Sequence, residues 1–564
     1  MKRVKKNVVT SILAVCLAFI MAFSTGMTAA AEGDDLTLES AGNITISGIE
    51  TVKTDDPRIE KGVGKLYAYK VINVNVNDDS HQPQSPVFKW DDSVAPWVST
   101  NFEVYIDKDN GNAVTDAFLK LTDNGDDIKA FVDQLANAIR KTDNAIDLAP
   151  FKEYELADYT PGGDDKEITL TDVPLGAYLF LVEGGVRIYS PGFASVYPAY
   201  DKEDKKWVPA GQSINVYMKS KEPDIEKSVK DYTYAIGQTV NYTLVVDVPD
   251  YPENAVDKKF IIADYLSEGL TFTDSEDSVR IYKYVVSEES EEGYIRGEEL
   301  TDYFERDSFA SDESQPDEET DPSFVRSFIG DYSILTTEKV IVEYSATVNE
   351  KAVVKVDATT DNKLDNKAYL IYNNNPYTEN GYREIPDEER VYTYGIQVTK
   401  TDNGDTKLPG AEFNLKQGDK TLKFVKDGSV YRLLLTEEED AKASETLVTD
   451  KNGLIMIKGL DLGTYTLVET KAPDGYELPA DPKTVITLAD NKDNSGAPAA
   501  PDGILNNDLN NDSNGTFETT VVNTKPGVLP VTGGVGTALF TIFGLLLMSG
   551  AVILVVTVSR RKSH

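Results

Sequence analysis

Along most of the chain, apolar and polar residues alternate one for one in short runs separated by Gly, Asn, Asp and Pro. Val240-Asn241-Tyr242-Thr243-Leu244-Val245-Val246 and Thr464-Tyr465-Thr466-Leu467-Val468 are typical runs. A period of two puts every second side chain on one face of an extended strand. Its repetition over hundreds of residues predicts an all-β chain of tandem Ig-like sandwiches. One segment breaks the pattern. In Asp126 to Lys141, Ile128, Phe131, Val132, Leu135 and Ile139 recur at helical spacing. Asp126 and Asp127 stand at its start and Arg140 and Lys141 at its end, as the helix dipole favours. A helical insertion is therefore expected in the first sandwich.

The two ends carry a different pattern. Lys2, Arg3, Lys5 and Lys6 precede an apolar run from Val8 to Phe23, and Ala29-Ala30-Ala31 offers a cleavage site, which reads as a signal peptide over 1–31. At the other end, an apolar stretch from about 536 to 558 is long enough to span a bilayer and is closed by Arg560-Arg561-Lys562. That basic cluster assigns the end to the cytoplasm. Leu529-Pro530-Val531-Thr532-Gly533 stands just upstream of the stretch. Cys16 lies inside the first apolar run, and Val15 before it departs from a lipoprotein signal, so the mature chain is expected to contain no cysteine. Any covalent staple must come from other chemistry.

The same short runs set the domain boundaries. They fall near Glu222-Pro223 and near Val391 to Gly395, giving an N-terminal domain over 32–221, a middle domain over 222–393, a third over 394–525 and an anchoring segment over 526–564. A weak repeat relates the outer two: Asp172-Val173-Pro174-Leu175-Gly176-Ala177-Tyr178-Leu179 parallels Gly459-Leu460-Asp461-Leu462-Gly463-Thr464-Tyr465-Thr466. Ser287 to Pro322, acidic and Ser-rich, and Ala489 to Gly515, rich in Asn, Asp, Ala and Pro, are expected as solvated loops.

Charge and composition narrow the function. With 95 acidic against 56 basic residues the net charge is −39, which argues against a nucleic-acid partner, since a polyanion would be repelled. The two histidines are His81 and His564, which leaves little for a histidine metal site or a Ser-His-Asp triad. No phosphate-binding glycine motif stands out, and carboxylates are too abundant for any pair to mark a glycosidase. No enzyme, metal or cofactor is expected.

The C-terminal order of pentapeptide, apolar stretch and basic stop closely resembles the sorting signal of sortase substrates. The resemblance implies cleavage between Thr532 and Gly533, with Leu529 and Pro530 recognised, and Thr532 held as an acyl group until an amine takes it. In the third domain, Ile396-Gln397-Val398-Thr399-Lys400, then Tyr465 through Glu469-Thr470-Lys471-Ala472-Pro473-Asp474-Gly475-Tyr476, and finally Val521-Val522-Asn523-Thr524 resemble the Cna B-type domain of Gram-positive adhesins and pilins. That resemblance implies an intramolecular isopeptide bond between Lys400 and Asn523, with Glu469 as catalytic acid. The chemistry is sound: burial favours the neutral amine that attacks and the protonated carboxyl that polarises the carboxamide.

Ile225-Glu226-Lys227, Ile262-Ala263-Asp264-Tyr265 and Asn366-Lys367-Ala368-Tyr369 resemble the middle domain of SpaA-type backbone pilins, implying a second triad of Lys227, Asp264 and Asn366, with Asn362 as an alternative to the last. Each bond would close a loop of well over a hundred residues, for which the chain-entropy estimate is ~5 kcal/mol. In the first domain the box from Tyr178 to Glu183 has five steps where Tyr465 to Glu469 has four, and Asn43-Ile44-Thr45-Ile46-Ser47 has no lysine, so no such bond is expected there.

Backbone pilins carry the acceptor lysine at the end of the first domain. The matching segment runs from Trp207 through Ile214-Asn215-Val216-Tyr217-Met218-Lys219. The resemblance implies Lys219 as acceptor, with Met218 where the family has proline and Lys221 as a near rival. The expected function is a backbone pilin, anchored to the wall of a Gram-positive bacterium and supporting adhesion. Its expected partners are a pilus-class and a housekeeping sortase, other copies of itself, ancillary tip and base pilins, peptidoglycan and host surface ligands. The alternative is a stand-alone adhesin joined only to peptidoglycan.

Overall fold

A computed structural model of the chain describes residues 35–49, most of 64–526, and 535–561; the longer stretches outside it are 1–34, 50–63, 308–320 and 490–514. The signal peptide, Cys16 and the pentapeptide 529–533 thus lie outside the described residues. The described residues fall into two compact units, one from Met1–Tyr234, Gln238–Val353 and Asp361–Tyr392, the other from Ala235–Gly237, Val354–Thr360 and Thr393–His564. Strand pairing divides the first unit again. Among the described residues, strands between 41 and 221 pair with one another, as do those between 225 and 390 and those between 394 and 523. The chain is a tandem of three β-sandwiches.

In the first sandwich, Ser213–Tyr217, Ala41–Ile49 and Lys166–Pro174 form one sheet, and Gly176–Glu183 and Lys65–Asn77 are central in a seven-stranded second sheet. The larger sheet is covered on both faces. Tyr178, Phe180 and Val182 pack with Ile44, Ile46 and Val216 between the sheets. Leu179 and Leu181 belong to the opposite cluster, with Trp90, Phe131 and Leu135. All eight residues of Gly176–Glu183 are buried in consequence, which is why Gly176 to Val182 is continuously apolar rather than alternating. The helix is Gly125–Arg140, and its predicted stripe of Ile128, Phe131, Val132, Leu135 and Ile139 is buried.

The repeat seen in the sequence is also a repeat of structure. Asp172 and Gly459 hold equivalent places before the paired tyrosines, and both take a left-handed backbone, φ 54° and 85°. Tyr178 then donates its hydroxyl to the Pro174 carbonyl at 2.8 Å, and Tyr465 to that of Asp461 at 2.7 Å. In both sandwiches the first strand also pairs in parallel with one at the domain's end, Ala41–Ile49 with Ser213–Tyr217 and Tyr394–Asp402 with Thr516–Asn523.

The middle sandwich sets a six-stranded sheet, with Thr239–Asp247 and Lys339–Val348 central, against a five-stranded one with Phe260–Leu266 and Asp365–Tyr372 central. Part of the acidic segment expected as a loop is strand. Tyr294–Glu299 pairs with Val279–Val286, and Phe304–Arg306 with Phe324–Phe328. Tyr294–Glu299 is a sheet edge whose charged side chains stay in solvent, a composition that discourages another chain from pairing there.

A loop of the middle sandwich is pinned into the first. Asn374 Nδ2 donates to the Gly185 carbonyl at 2.9 Å, and Asn375 Oδ1 accepts from the Gly184 amide. Gly184 and Gly185 both have positive φ, 80° and 78°, a tight turn that residues with a Cβ rarely adopt twice running. Tyr377 is buried in the same cluster as Phe131 and Leu135, its hydroxyl 3.4 Å from Asp133 Oδ1 on the helix.

Burial pushes Asp133 up from the ordinary 3.8 to about 6, Lys129 opposing. A carboxyl raised in the folded state contributes stability that is present below its unfolded value and is lost as pH rises through the folded one. Asp133→Asn should therefore stabilise the first unit at pH 7 by roughly 3 kcal/mol, and flatten its decline between pH 4 and 6. Calorimetry across that range checks it; an unchanged slope contradicts it.

In the second unit, Tyr394–Asp402 lies beside Thr516–Asn523 in a six-stranded sheet, and Gly463–Lys471 is central in the facing one. The terminal helix is Val535–Arg561. Its Leu539–Ser559 portion, 21 residues of mean hydropathy 2.6, is long and apolar enough to cross a membrane.

Candidate functional site

Strand parity brings the middle triad together. Lys227 pairs with Leu244 and Tyr344 with Tyr242. Residues opposite one another, or two apart, share a face of a sheet, so Lys227 and Tyr344 point the same way. On the facing sheet Leu266 pairs with Asn366, which puts Asp264 and Asn366 on one face. The four side chains meet between the sheets. Lys227 Nζ donates to Asp264 Oδ2 and to Tyr344 Oη, each at 2.7 Å. Tyr344 Oη donates to Asp264 Oδ2, and Asn366 Nδ2 donates to Tyr344 Oη at 3.0 Å. Asp264 and Asn366 are wholly buried. The rings of Tyr242 and Tyr344 wall the amine at 5.2 and 5.4 Å. Asn362 lies outside the described residues.

The third sandwich brings its predicted triad together from equally regular strands. Ile396, Val398 and Lys400 alternate on the buried face of one strand, and Tyr465, Leu467 and Glu469 on that of the facing strand. Asn523 ends the neighbouring parallel strand, level with Asp402. Asn523 Nδ2 donates to Glu469 Oε1 at 2.8 Å. Lys400 Nζ lies 4.0 Å from Glu469 Oε1 and donates to the Val521 carbonyl at 3.0 Å.

The electrostatics of the two centres agree. Desolvation lowers the Lys227 and Lys400 amines, opposed by the neighbouring acid. It raises Asp264 and Glu469, opposed by the neighbouring lysine. Burial thus favours the neutral pair, amine and carboxylic acid, over the ion pair. Four buried oxygens lack any hydrogen-bond partner: Asp264 Oδ1 and Asn366 Oδ1 in one centre, Glu469 Oε2 and Asn523 Oδ1 in the other. An unpaired buried acceptor is costly. A proton on the acid supplies each centre with the donor it lacks. Each therefore holds a nucleophile, an acid and a carboxamide, the groups needed to exchange an amide's ammonia for a lysine amine.

The first sandwich differs by one step of parity. Five residues from Tyr178 put Glu183 on the side of Leu179 and Leu181, facing the helix instead of the space between the sheets. There it pairs with Arg140, which also donates to Tyr69 Oη at 2.9 Å and lies over the Tyr67 ring. A guanidinium stays protonated and is no nucleophile.

Lys219 is exposed on a fixed backbone. Its carbonyl accepts from the Ser190 amide at 2.9 Å, and the amide of Met218 donates to the Ser47 carbonyl at 2.8 Å. Met218 is fully buried in the core, so alternation turns Lys219 outward. Lys221 is half-buried in a short pair with Ile188. Sequence reasoning missed Tyr344 and Arg140. Tyr344 sits in an ordinary alternating strand, and Arg140 was legible only as a helix-end charge.

Comparison with known proteins places these sites in context. Residues 394–496 match the SpaA prealbumin-like fold domain, and residues 521–564 match the LPXTG cell wall anchor motif. The chain is 28% identical over 430 residues to the trypsin-resistant surface T6 protein of Streptococcus pyogenes serotype M6, covering 61% of this chain and 70% of that one. It is 24% identical over 604 residues to the fimbrial subunit type 2 of Actinomyces naeslundii, covering 96% of this chain and 98% of that one. The solved structure of the T6 backbone pilin, described as modular and three-domain with variable loops and extensions, superposes with a TM-score of 0.53 at 20% identity, over 87% of this chain and all of the pilin.

Proposed function

We infer that this chain is a sortase-anchored major pilin, the structural backbone subunit of a covalent surface pilus on a Gram-positive bacterium. The observation that carries the reading is the pairing of an LPXTG anchor with likeness to a fimbrial subunit over 96% of the chain. Its relatives are structural proteins rather than enzymes, and its place is the cell wall and the pilus.

Within that role we read the sites as follows. A sortase cleaves between Thr532 and Gly533, recognising Leu529 and Pro530, and passes Thr532 to Lys219 of the next copy. Donor and acceptor are different surfaces of one chain, so the contact is heterologous and propagates as a fibre. Lys227 joins Asn366 with Asp264 as acid, and Lys400 joins Asn523 with Glu469 as acid. In each case the neutral amine attacks the carboxamide carbon, the carboxamide C–N bond breaks, and the proton the amine gives up leaves with the departing nitrogen as ammonia, the acid assisting. The buried contacts of Lys227, Tyr344 and Asp264 and of Asn523 with Glu469 support this. The first sandwich is read as having no crosslink, its carboxyl being held by Arg140. The domains are read as 32–221, 222–393 and 394–525. A pilus-class sortase polymerises the subunits, a housekeeping sortase hands the base to peptidoglycan, ancillary pilins cap the ends, and host surface ligands are met through the fibre.

Immunoblots of wall extracts test the reading. The wild-type chain should give a ladder of covalent multimers resistant to boiling in detergent. Thr532→Ala should remove the ladder and release or strand the monomer in the membrane. A single wild-type band would sink the pilin reading and leave a stand-alone adhesin joined to peptidoglycan alone.

A further inference from the structure

The two crosslink centres differ in how the acid reaches the departing nitrogen. In the third sandwich Asn523 Nδ2 donates straight to Glu469 Oε1 at 2.8 Å. In the middle sandwich the acid is an aspartate, one methylene shorter, and Asn366 Nδ2 donates instead to Tyr344 Oη at 3.0 Å. The same phenol oxygen accepts from Lys227 Nζ at 2.7 Å and donates to Asp264 Oδ2. It therefore touches the attacking nitrogen, the leaving nitrogen and the acid together. Tyr344 is fixed there: it stacks on Tyr242, with ring centroids 5.3 Å apart, and meets Phe324 edge-on at 4.8 Å. Its side chain is buried, so bulk water has no ready part in moving the proton.

We propose that Tyr344 is a fourth, catalytic member of the middle centre, relaying a proton from Lys227 to the departing amide nitrogen of Asn366. The proposal rests on reading Lys227, Asp264 and Asn366 as an isopeptide centre. The balance is simple. The Nζ lone pair forms the Nζ–Cγ bond, and the Cγ–Nδ2 bond breaks. Nζ must lose one proton and Nδ2 must gain one. Tyr344 Oη takes the first and delivers its own as the second, so the phenol ends as it began, ammonia leaves, and nothing is oxidised or reduced. Asp264, protonated, polarises the carboxamide oxygen throughout and returns unchanged. Asp264 and Tyr344 together span the distance that Glu469 covers alone.

The test follows crosslinking in the full chain made by cell-free translation, with timed peptide mass mapping of the Lys227–Asn366 and Lys400–Asn523 junctions. Tyr344→Phe keeps the ring and should slow the first junction on the order of 100-fold, the usual share of one proton-transfer group, while the second forms at the wild-type rate. A Tyr344→Phe chain that crosslinks Lys227 at the wild-type rate overturns the relay. As a variant of nearly unchanged shape, 3,5-difluorotyrosine at position 344 makes the phenol more acidic. The pH profile of the first junction should then shift to lower pH; an unshifted profile leaves Tyr344 a packing residue and refutes the proposal, even where the phenylalanine variant folds poorly. Absence of the Lys227–Asn366 junction in the wild-type chain would instead overturn the isopeptide reading itself, and the relay with it.

Discussion

Lys219→Ala is expected to collapse the multimer ladder to a single wall-linked band, while Lys221→Ala leaves the ladder intact. The argument is one of access. An acyl-enzyme must be approached by a free amine on a backbone that stays put. Lys219 is exposed, and the backbone on either side of it is bonded to Ser190 and Ser47. Lys221 is half-buried in strand pairing. Met218, which departs from the family's proline, does not disturb this: its side chain fills the core while its amide holds Ser47. Detergent-resistant blots of wall extracts from the two variants decide the matter. Loss of the ladder in Lys221→Ala alone would move the acceptor two residues on.

The second large effect belongs to the internal acids. By intact mass, the wild-type chain should fall short of its sequence mass by two ammonias, Asp264→Ala and Glu469→Ala each of its own sequence mass by one, and the double variant by none. Each variant gives up a closed loop of more than a hundred residues, about 5 kcal/mol in the chain-entropy estimate. It also leaves a free lysine amine buried beside an alanine, which burial disfavours in its charged form. The affected sandwich should melt lower by about 15 °C or more, and should become open to trypsin. A variant still short of its own sequence mass by two ammonias would show that its acid has no part in the bond.

How much of this was legible beforehand depends on whether the information is local. The helix Gly125–Arg140 declared itself by Ile128, Phe131 and Leu135, because a stripe on one helix is written in consecutive turns. Lys227, Asp264 and Asn366, like Lys400, Glu469 and Asn523, stood in recognisable strand motifs, and strand parity did the rest. The parallel pairing of Tyr394–Asp402 with Thr516–Asn523 joins residues more than a hundred apart in sequence, and no local pattern encodes it. Tyr344 is the sharper case. Its strand, Lys339–Val348, alternates like any other, and only the facing sheet brings its one aromatic side chain against Asp264 and Asn366. Glu183 taught the reverse lesson. A single extra residue in its box was visible in the sequence, but its meaning, a carboxyl turned from the inter-sheet core to the helix and Arg140, needed the covered sheet. Part of the acidic segment 287–322 is strand rather than loop because an edge strand can carry charge and still face solvent.

The placement of that acidic segment has a consequence for surface variation. Ser287–Pro322 lies between Lys227 and Asn366 in the chain, and Ala489–Gly515 lies between Lys400 and Asn523. Once each lysine is joined to its asparagine, a pull along the fibre passes through the junction and bypasses everything threaded between its two ends. A bypassed segment can lengthen, shorten or change its charge without entering the axial spacing of one subunit on the next. The face a bacterium shows to its surroundings can then drift quickly while the shaft beneath keeps its repeat.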